Sequence, residues 1–271
     1  MTLLGKKLGI AIPDTVLEER GSPREKAVKL GSIARACAIY GVDTIEVYRD
    51  TKGGGESGMI RKVLEYLETP QYLRKRSFPM DSALQYAGIL PPLKIPSHKS
   101  RVSLDQLRGG DVREGVTNAD GTVDVGLEKP LTMKERMDGN KRVTVRVATE
   151  TPMMVEIVGR EDAKAYWGYV VETKTVEEVL GDRRFGLKIA TSRYGEPLRS
   201  QIDPLRGALA EAGSVLLLFG SPSRGLFDII GKSLVDRVDF VLNLFVEQHV
   251  ETVRTEEAIS AALCLVDVLS V

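Results

Sequence analysis

The chain has 271 residues, of which 42% are hydrophobic and 28% are charged, and its 38 Lys and Arg balance its 38 Asp and Glu. This composition is ordinary for a globular chain of one large or two modest domains. The longest apolar runs are far too short to cross a bilayer, so we expect no membrane association, and the zero formal charge gives no sign of a nucleic-acid binder.

The first ninety residues alternate between strand and helix patterns. Apolar runs at 8–12 and 44–48 predict two strands. Ser22 followed by Pro23 predicts the start of a helix between them, because Ser caps helices and Pro suits their first turn, and Gly41 predicts its end. Two strands joined by a helix form a βαβ unit, which predicts a parallel sheet.

A glycine-rich segment, Lys52-Gly53-Gly54-Gly55, follows the second strand and precedes a helix predicted at 59–68. A phosphate-binding loop would place Lys and then Ser or Thr directly after its glycines, and that pair is missing here. We therefore predict an ordinary surface turn.

Paired prolines at Pro91 and Pro92 mark a domain boundary, because they cannot continue a helix or a central strand. Short alternating strands with hairpin-type turns follow, which predicts a small all-β barrel with an OB fold as one candidate. We predict an α/β domain over 1–90, an inserted OB-like barrel over 91–164 and a second α/β part over 165–271. The two α/β parts would share one sheet.

OB barrels often bind single-stranded nucleic acid through cationic and aromatic side chains. Aromatic residues are absent between Tyr86 and Tyr166, whereas cations are present: Lys99, Arg101, Arg108, Lys141, Arg142 and Arg146. The pattern leaves two readings equally open, an RNA-binding barrel and a structural barrel with a solvated charged face.

The C-terminal part returns to α/β patterns. Apolar runs predict strands at 187–191, 215–219 and 240–246, the last two of them buried. Helices are predicted at 204–212, with Asp203 as N-cap, and from Thr255, itself a plausible N-cap, to about Leu269.

Two of these strands run into loops that suit a ligand. Gly220 directly follows the strand at 215–219, where a glycine lets backbone approach a ligand without a Cβ in the way. The polar loop 247–254 leads from the last strand into a helix start, whose free backbone N–H groups can grip a small molecule. Taken alone, the second junction is more often an ordinary strand–loop–helix connection.

The ordered set of Gly220-Ser221-Pro222-Ser223-Arg224-Gly225, Asn243-Leu244 and 251–258 resembles the SPOUT superfamily of knotted, S-adenosylmethionine-dependent RNA methyltransferases. The likeness spans both ends of the chain. It is closest to the archaeal and eukaryotic branch with an OB-like insert, linked to uridine N3 methylation of ribosomal RNA. It implies a mostly parallel sheet with helices on both faces, a final helix tucked through a loop as a trefoil knot, and a homodimer that acts on RNA.

The resemblance further implies that three loops surround the methyl donor. The implied donor-binding residues are Thr191, Ser192, Phe219, Gly220, Ser221, Gly225, Leu242, Asn243, Leu244, Gln248, Thr252, Val253, Arg254, Thr255 and Ala258. Many superfamily members carry a glycine in the loop occupied here by Gln248-His249-Val250. Arg254 either holds that loop through a salt bridge or contacts RNA phosphate.

The segment Gly31-Ser32-Ile33-Ala34-Arg35-Ala36 resembles the first motif of the superfamily, in which a helix arginine faces the active site, often that of the other subunit. If uridine N3 is the nucleophile, a nearby guanidinium would stabilise the uridine anion. We predict Arg35 as the catalytic residue, with a surface ion pair as the equal alternative.

Cysteine and histidine usage argues against a disulfide or a metal site. Cys37 and Cys264 both fall on apolar positions of predicted helices, so we expect buried thiols, and His249 suits a solvent-facing loop. No charged and apolar leader precedes a cleavage site, so we expect a cytoplasmic protein.

The sequence thus favours an S-adenosylmethionine-dependent RNA methyltransferase, acting on a ribosomal RNA base such as uridine N3. A non-catalytic RNA-binding or ribosome-assembly protein is the alternative. A Rossmann-type nucleotide protein is a weaker third reading, because no G-x-G-x-x-G opens the first βαβ unit.

Overall fold

The computed structural model of the protein describes residues 5–19, 21–50, 55–99 and 103–270. The predicted turn at Lys52, Gly53 and Gly54, and the predicted barrel cation Arg101, lie outside these residues. One compact unit takes in 69–81 and 94–167, and the other takes in the remaining described residues. The predicted domain boundaries at 90 and 164 stay predictions.

The helices and strands alternate along both ends of the chain, and strands dominate its middle. In chain order they are β1 (Lys7–Pro13), α1 (Pro23–Ile39), β2 (Thr44–Arg49), α2 (Ser57–Glu68), α3 (Gln71–Ser77), β3 (Val112–Thr117), β4 (Thr122–Asp124), β5 (Leu131–Met133), β6 (Arg142–Glu150), β7 (Met153–Val158), β8 (Val170–Thr175), α4 (Val176–Leu180), β9 (Leu187–Pro197), α5 (Leu198–Glu211), β10 (Ser214–Leu218), α6 (Leu226–Ile230), β11 (Phe240–Asn243) and α7 (Thr255–Leu269).

Six strands form one sheet in the order β11-β9-β10-β1-β2-β8, and every neighbouring pair is parallel. The central strands β1 and β10 are buried along most of their length, as parallel strands covered on both faces are. The prediction that both ends of the chain contribute to one parallel sheet is confirmed.

Helix α1 begins and ends where its sequence predicts. The Ser22 hydroxyl accepts a hydrogen bond from the Glu25 backbone N–H at 3.2 Å, and the Glu25 carboxylate accepts one from the Ser22 backbone N–H at 3.1 Å. Gly41 takes a φ of +68°, the left-handed conformation that ends many helices. The buried face of α1 includes Leu30 and Cys37, and the helix packs against α2 and α7.

The middle of the chain forms a closed five-stranded barrel in the order β3-β4-β5-β7-β6. Only β5 and β7 pair in parallel, and β3 closes the barrel against β6. The Glu114 carboxylate is buried and accepts hydrogen bonds from the Thr144 hydroxyl at 2.6 Å, the Trp167 indole at 2.7 Å and the Arg142 guanidinium at 2.7 Å. The predicted all-β barrel is therefore present.

Helix α5 starts earlier than predicted, and Asp203 is not its N-cap. The helix begins at Leu198 after an N-cap at Pro197, and it runs through Pro204. Pro204 has no backbone N–H, so the carbonyl four residues earlier in the helix loses its usual hydrogen-bond donor. The position is exposed, so water can bind that carbonyl instead.

Three further expectations at the C-terminal end are wrong. The last strand ends at Asn243, and of its residues only Leu242 is fully buried, because β11 is an edge strand of the sheet. Arg254, not Thr255, is the N-cap of α7, and the Glu257 carboxylate binds its backbone N–H at 2.9 Å. Cys264 is exposed, whereas Cys37 is buried as expected.

Candidate functional site

A cavity of about 290 Å³ lies at the carboxyl ends of β9, β10 and β11. Ligands of open parallel sheets bind at this edge, where loops leave the strands together. All the residues predicted to bind a donor line this cavity except Arg254. The lining also includes residues that were not predicted: Arg193, Tyr194, Pro222, Ser223, Asp228, Phe245 and Glu251.

The cavity lining combines apolar and polar groups. Phe219 and Leu242 are fully buried beneath it, and Thr252, Thr255 and Asn243 bring hydroxyl and amide groups. Such a mixture suits a ligand that carries a flat apolar ring together with several hydrogen-bonding groups.

The loop after β10 folds back on itself beside the cavity. The Ser221 backbone N–H donates to the Arg224 carbonyl at 2.8 Å, and the Arg224 N–H donates to the Ser221 hydroxyl at 3.0 Å. A Cβ on Gly220 would lie 2.8 Å from the same carbonyl oxygen. The turn therefore closes only because residue 220 has no side chain.

A family model described as "Putative RNA methyltransferase" matches residues 7–266. The chain belongs to this RNA methyltransferase family. An uncharacterised protein of Haloarcula marismortui is 36% identical over 94% of this chain and 97% of its own length. The 28S rRNA (uridine-N(3))-methyltransferase of Mus musculus is 33% identical over 94% of this chain and 74% of its own, and the one of Homo sapiens is 31% identical over 94% and 76%.

Segment 14–19, directly after β1, supports the cavity loop of this methyltransferase, and the sequence analysis missed it. The Glu18 carboxylate accepts hydrogen bonds from the Ser221 hydroxyl at 2.9 Å and from the Ser223 N–H and hydroxyl at 3.1 and 2.5 Å. Partial burial alone would raise the pKa of Glu18, but the bonds from Ser223 and Ser221 outweigh it and hold the pKa below its usual range. Glu18 is thus a charged anchor for the loop.

A second carboxylate, directly after the end of β2, holds the same loop. The Asp50 carboxylate accepts hydrogen bonds from the Arg224 guanidinium at 2.7 Å and from the Thr15 hydroxyl at 2.6 Å. No local pattern marks Glu18 or Asp50, because the loop that they bind lies more than 170 residues further along the chain.

An ion pair also holds the first turn of α7. The Lys29 ammonium is buried and lies 2.6 Å from the Glu19 carboxylate and 3.3 Å from that of Glu256. Since Glu256 follows Thr255, a residue of the cavity wall, this ion pair helps to hold α7 in place beside the cavity.

Asp14 gives the enzyme a predicted dependence of stability on pH. Burial, followed by a hydrogen bond to Asp50, raises the pKa of Asp14 from 3.8 to about 6. The folded protein therefore favours protonated Asp14, so this contribution to the unfolding free energy is complete below pH 3.8 and disappears as pH rises through 6. A one-unit shift corresponds to about 1.4 kcal/mol, so we expect at most about 3 kcal/mol.

Asp14→Asn tests this prediction, because the amide does not titrate. Urea unfolding of wild type and variant at several pH values between 4 and 7 should show a smaller fall in stability for the variant as pH rises. Asp203→Asn is the control, since Asp203 is exposed and should leave the wild-type profile unchanged. Equal pH profiles for Asp14→Asn and wild type would contradict the prediction.

Two of the predicted residues, Arg35 and Gln248, donate hydrogen bonds to backbone carbonyls. The Arg35 guanidinium does not line the cavity and donates to the backbone carbonyls of Pro92 and Leu93 at 3.3 and 2.8 Å. The Gln248 amide donates to the carbonyls of Val250 and Glu251 at 2.6 and 2.9 Å, so it closes the turn over 248–251.

Two features are absent from the described residues. None of the helices in these ranges combines the length and the apolar character that a membrane span needs. No group of three or more His, Cys, Asp or Glu within them has the arrangement of a metal site.

Proposed function

We propose that the enzyme uses S-adenosylmethionine to methylate a base of ribosomal RNA, with uridine N3 as the target atom. One observation carries the proposal. The SPOUT resemblance assigns three separate segments to donor binding, and all three line a single cavity in this chain, which belongs to an RNA methyltransferase family. The printed names of the mouse and human relatives supply the substrate class and the atom.

The cavity fits such a donor. Its buried apolar floor beside Leu242 suits an adenine ring, and Thr252 and Thr255 can bind ribose or carboxylate oxygens. The donor would supply an electrophilic methyl group. The protein then contributes chiefly alignment, which can lower a barrier by about 7–11 kcal/mol, and a base that reacts there must be unpaired or flipped out of a duplex.

We also propose that the fold is of the SPOUT class, with a C-terminal knot and an OB-like barrel. Support for the knot comes from α7, which packs against both α1 and α5 directly after the cavity loop. Support for the OB assignment comes from the strand order of the barrel. Its second strand lies between the first and the third, and its fifth strand pairs with both the third and the fourth.

A homodimer is part of the proposal. Val28 and Ile39 on α1 and Val268 on α7 are large apolar side chains that are about half exposed, and the two helices touch. Packing these faces against a second copy would cover them. Arg35, which is partly exposed on α1, would then stabilise the uridine anion in the partner's site.

The alternative of a non-catalytic RNA-binding protein has less support. Two of the predicted barrel cations already face carboxylates, since Arg142 pairs with Glu114 and Arg146 pairs with Glu156. These pairs reduce the free positive charge that the barrel can offer to phosphates.

Two measurements test the proposed function. Calorimetry should show binding of S-adenosylmethionine to the purified chain, and labelled donor should transfer its methyl group to ribosomal RNA, with mass spectrometry identifying 3-methyluridine. Absence of donor binding at millimolar concentration would overturn the proposal, and a different methylated nucleoside would overturn the assignment to uridine N3.

Glu18→Ala is predicted to weaken donor binding. The change removes the acceptor for three hydrogen bonds from Ser221 and Ser223, each worth roughly 1 kcal/mol and more when the acceptor is charged. We expect the donor Kd to rise about tenfold, while Glu211→Ala, an exposed position at the end of α5 that does not line the cavity, serves as a control for general loss of negative charge. A Kd for Glu18→Ala within twofold of wild type would refute this role.

A further inference from the structure

Strand β9 leaves the sheet for five residues beside the cavity. Ala190 pairs with Val241 and Glu196 pairs with Leu242, so β9 advances six positions while β11 advances one. Residues 191–195 therefore form a bulge, a device that often re-aims side chains next to functional sites.

Contacts at several points fix the bulge. The Thr191 hydroxyl donates to the Leu218 carbonyl at 3.1 Å, and the Asn243 amide donates to the Arg193 carbonyl at 3.0 Å. A Cβ on Gly195 would lie 2.5 Å from the Val241 carbonyl oxygen, so only glycine permits this close approach. The backbone of Arg193 and Tyr194 is thus held in place although both side chains project outward.

Tyr194 is the one exposed aromatic side chain of the described residues, at 66% exposure, and it lines the cavity. The Arg193 guanidinium lies over its ring at 4.8 Å from the centroid. An exposed aromatic ring beside an arginine is the combination with which proteins stack unpaired bases and contact the adjacent phosphates.

We propose that Tyr194 is the platform on which an unpaired base of the RNA substrate stacks, and that Arg193 contacts a neighbouring phosphate. This inference rests on the proposed function, because it makes RNA the substrate of the cavity. The barrel contains no aromatic residue between Tyr86 and Tyr166. The bulge supplies the aromatic side chain for stacking that this part of the chain lacks.

A protein partner would use a different surface. The large apolar side chains assigned above to a second copy of the chain lie on α1 and α7, whereas Tyr194 lies on the bulge of β9. If Tyr194 instead served the dimer, its removal would change the oligomeric state and not the affinity for RNA.

The test compares Tyr194→Ala, Tyr194→Phe and Val235→Ala, the last being an exposed side chain outside the cavity. Oligouridine binding is measured without donor, S-adenosylmethionine binding by calorimetry, and oligomeric state by size-exclusion chromatography with light scattering. We expect Tyr194→Ala to weaken oligouridine binding about 10- to 100-fold, since loss of one stacked base has this order of effect. Tyr194→Phe, which keeps the ring, and Val235→Ala should stay within about twofold of wild type.

The outcomes separate this proposal from the proposed function. Unchanged oligouridine affinity in Tyr194→Ala, a wild type that does not bind oligouridine, or a change confined to the oligomeric state would each overturn the platform. Because oligouridine binding needs no donor, a wild type that binds oligouridine through Tyr194 but does not bind S-adenosylmethionine would overturn the proposed function alone.

Discussion

Gly220→Ala is expected to weaken binding of S-adenosylmethionine by about 10- to 100-fold. An added Cβ would lie 2.8 Å from the Arg224 carbonyl oxygen, 3.0 Å from the Gly225 Cα and 3.1 Å from the Leu226 nitrogen. All three neighbours are backbone atoms, so no side chain can rotate away and the loop must move. Overpacking of this kind costs about 1–3 kcal/mol, and about 1.4 kcal/mol corresponds to tenfold in affinity.

The matched control is Gly207→Ala on α5, where a Cβ would meet no atom within 4 Å. This change should leave donor affinity unchanged and raise the melting temperature slightly, because Ala favours helix over Gly by about 1 kcal/mol. Calorimetry gives both affinities, and a thermal melt of Gly220→Ala establishes that the variant is folded. Wild-type donor affinity in a folded Gly220→Ala protein would show that the loop does not form the donor site.

Glu114→Ala is expected to destabilise the barrel by about 3–5 kcal/mol. The carboxylate is 1% exposed and is the acceptor for Thr144, Trp167 and Arg142. Its removal leaves a buried hydroxyl and a buried indole N–H without this acceptor and separates Arg142 from its counter-charge. Breaking a buried ion pair from one side has an effect of this size.

Trp167 reports this change directly, because it is the single tryptophan of the chain and its indole binds Glu114. Denaturant unfolding followed by tryptophan fluorescence should show the midpoint shift. Glu114→Gln, which keeps an acceptor oxygen, should give an intermediate loss, and Glu128→Ala at an exposed barrel position should give none. A midpoint for Glu114→Ala equal to that of wild type would contradict the assignment of Glu114 as a structural centre of the barrel.

The residues of the cavity wall could be predicted because their signals are local. Gly220 follows an apolar strand directly, and the polar loop before α7 carries a recognisable order of residue types. These residue types can be recognised without knowledge of the fold, and the parallel sheet then brings the segments to one edge.

The groups that support the wall could not be predicted in this way. No sequence pattern distinguishes Glu18 and Asp50 from other acidic residues. Their role depends on the sheet, which places β1 and β2 beside β10 and its loop. Likewise, no local sequence pattern around Tyr194 predicts that β9 leaves the ladder for five residues, because the bulge depends on the pairing of β9 with β11. Strand β5, at three residues, was too short for a periodic signal.

Pairing between β1 and β10 also bears on when the protein becomes active during its synthesis. Lys7 lies opposite Ser214 in the sheet, so β1 leaves the ribosome more than two hundred residues before its neighbour. At roughly 5–20 residues per second, that interval is about ten seconds or longer. During it the nascent chain carries an apolar strand without its final neighbour, and unpaired apolar strands of this kind are prone to aggregate. The cavity at the ends of β9, β10 and β11 is consequently among the last parts of the molecule to form.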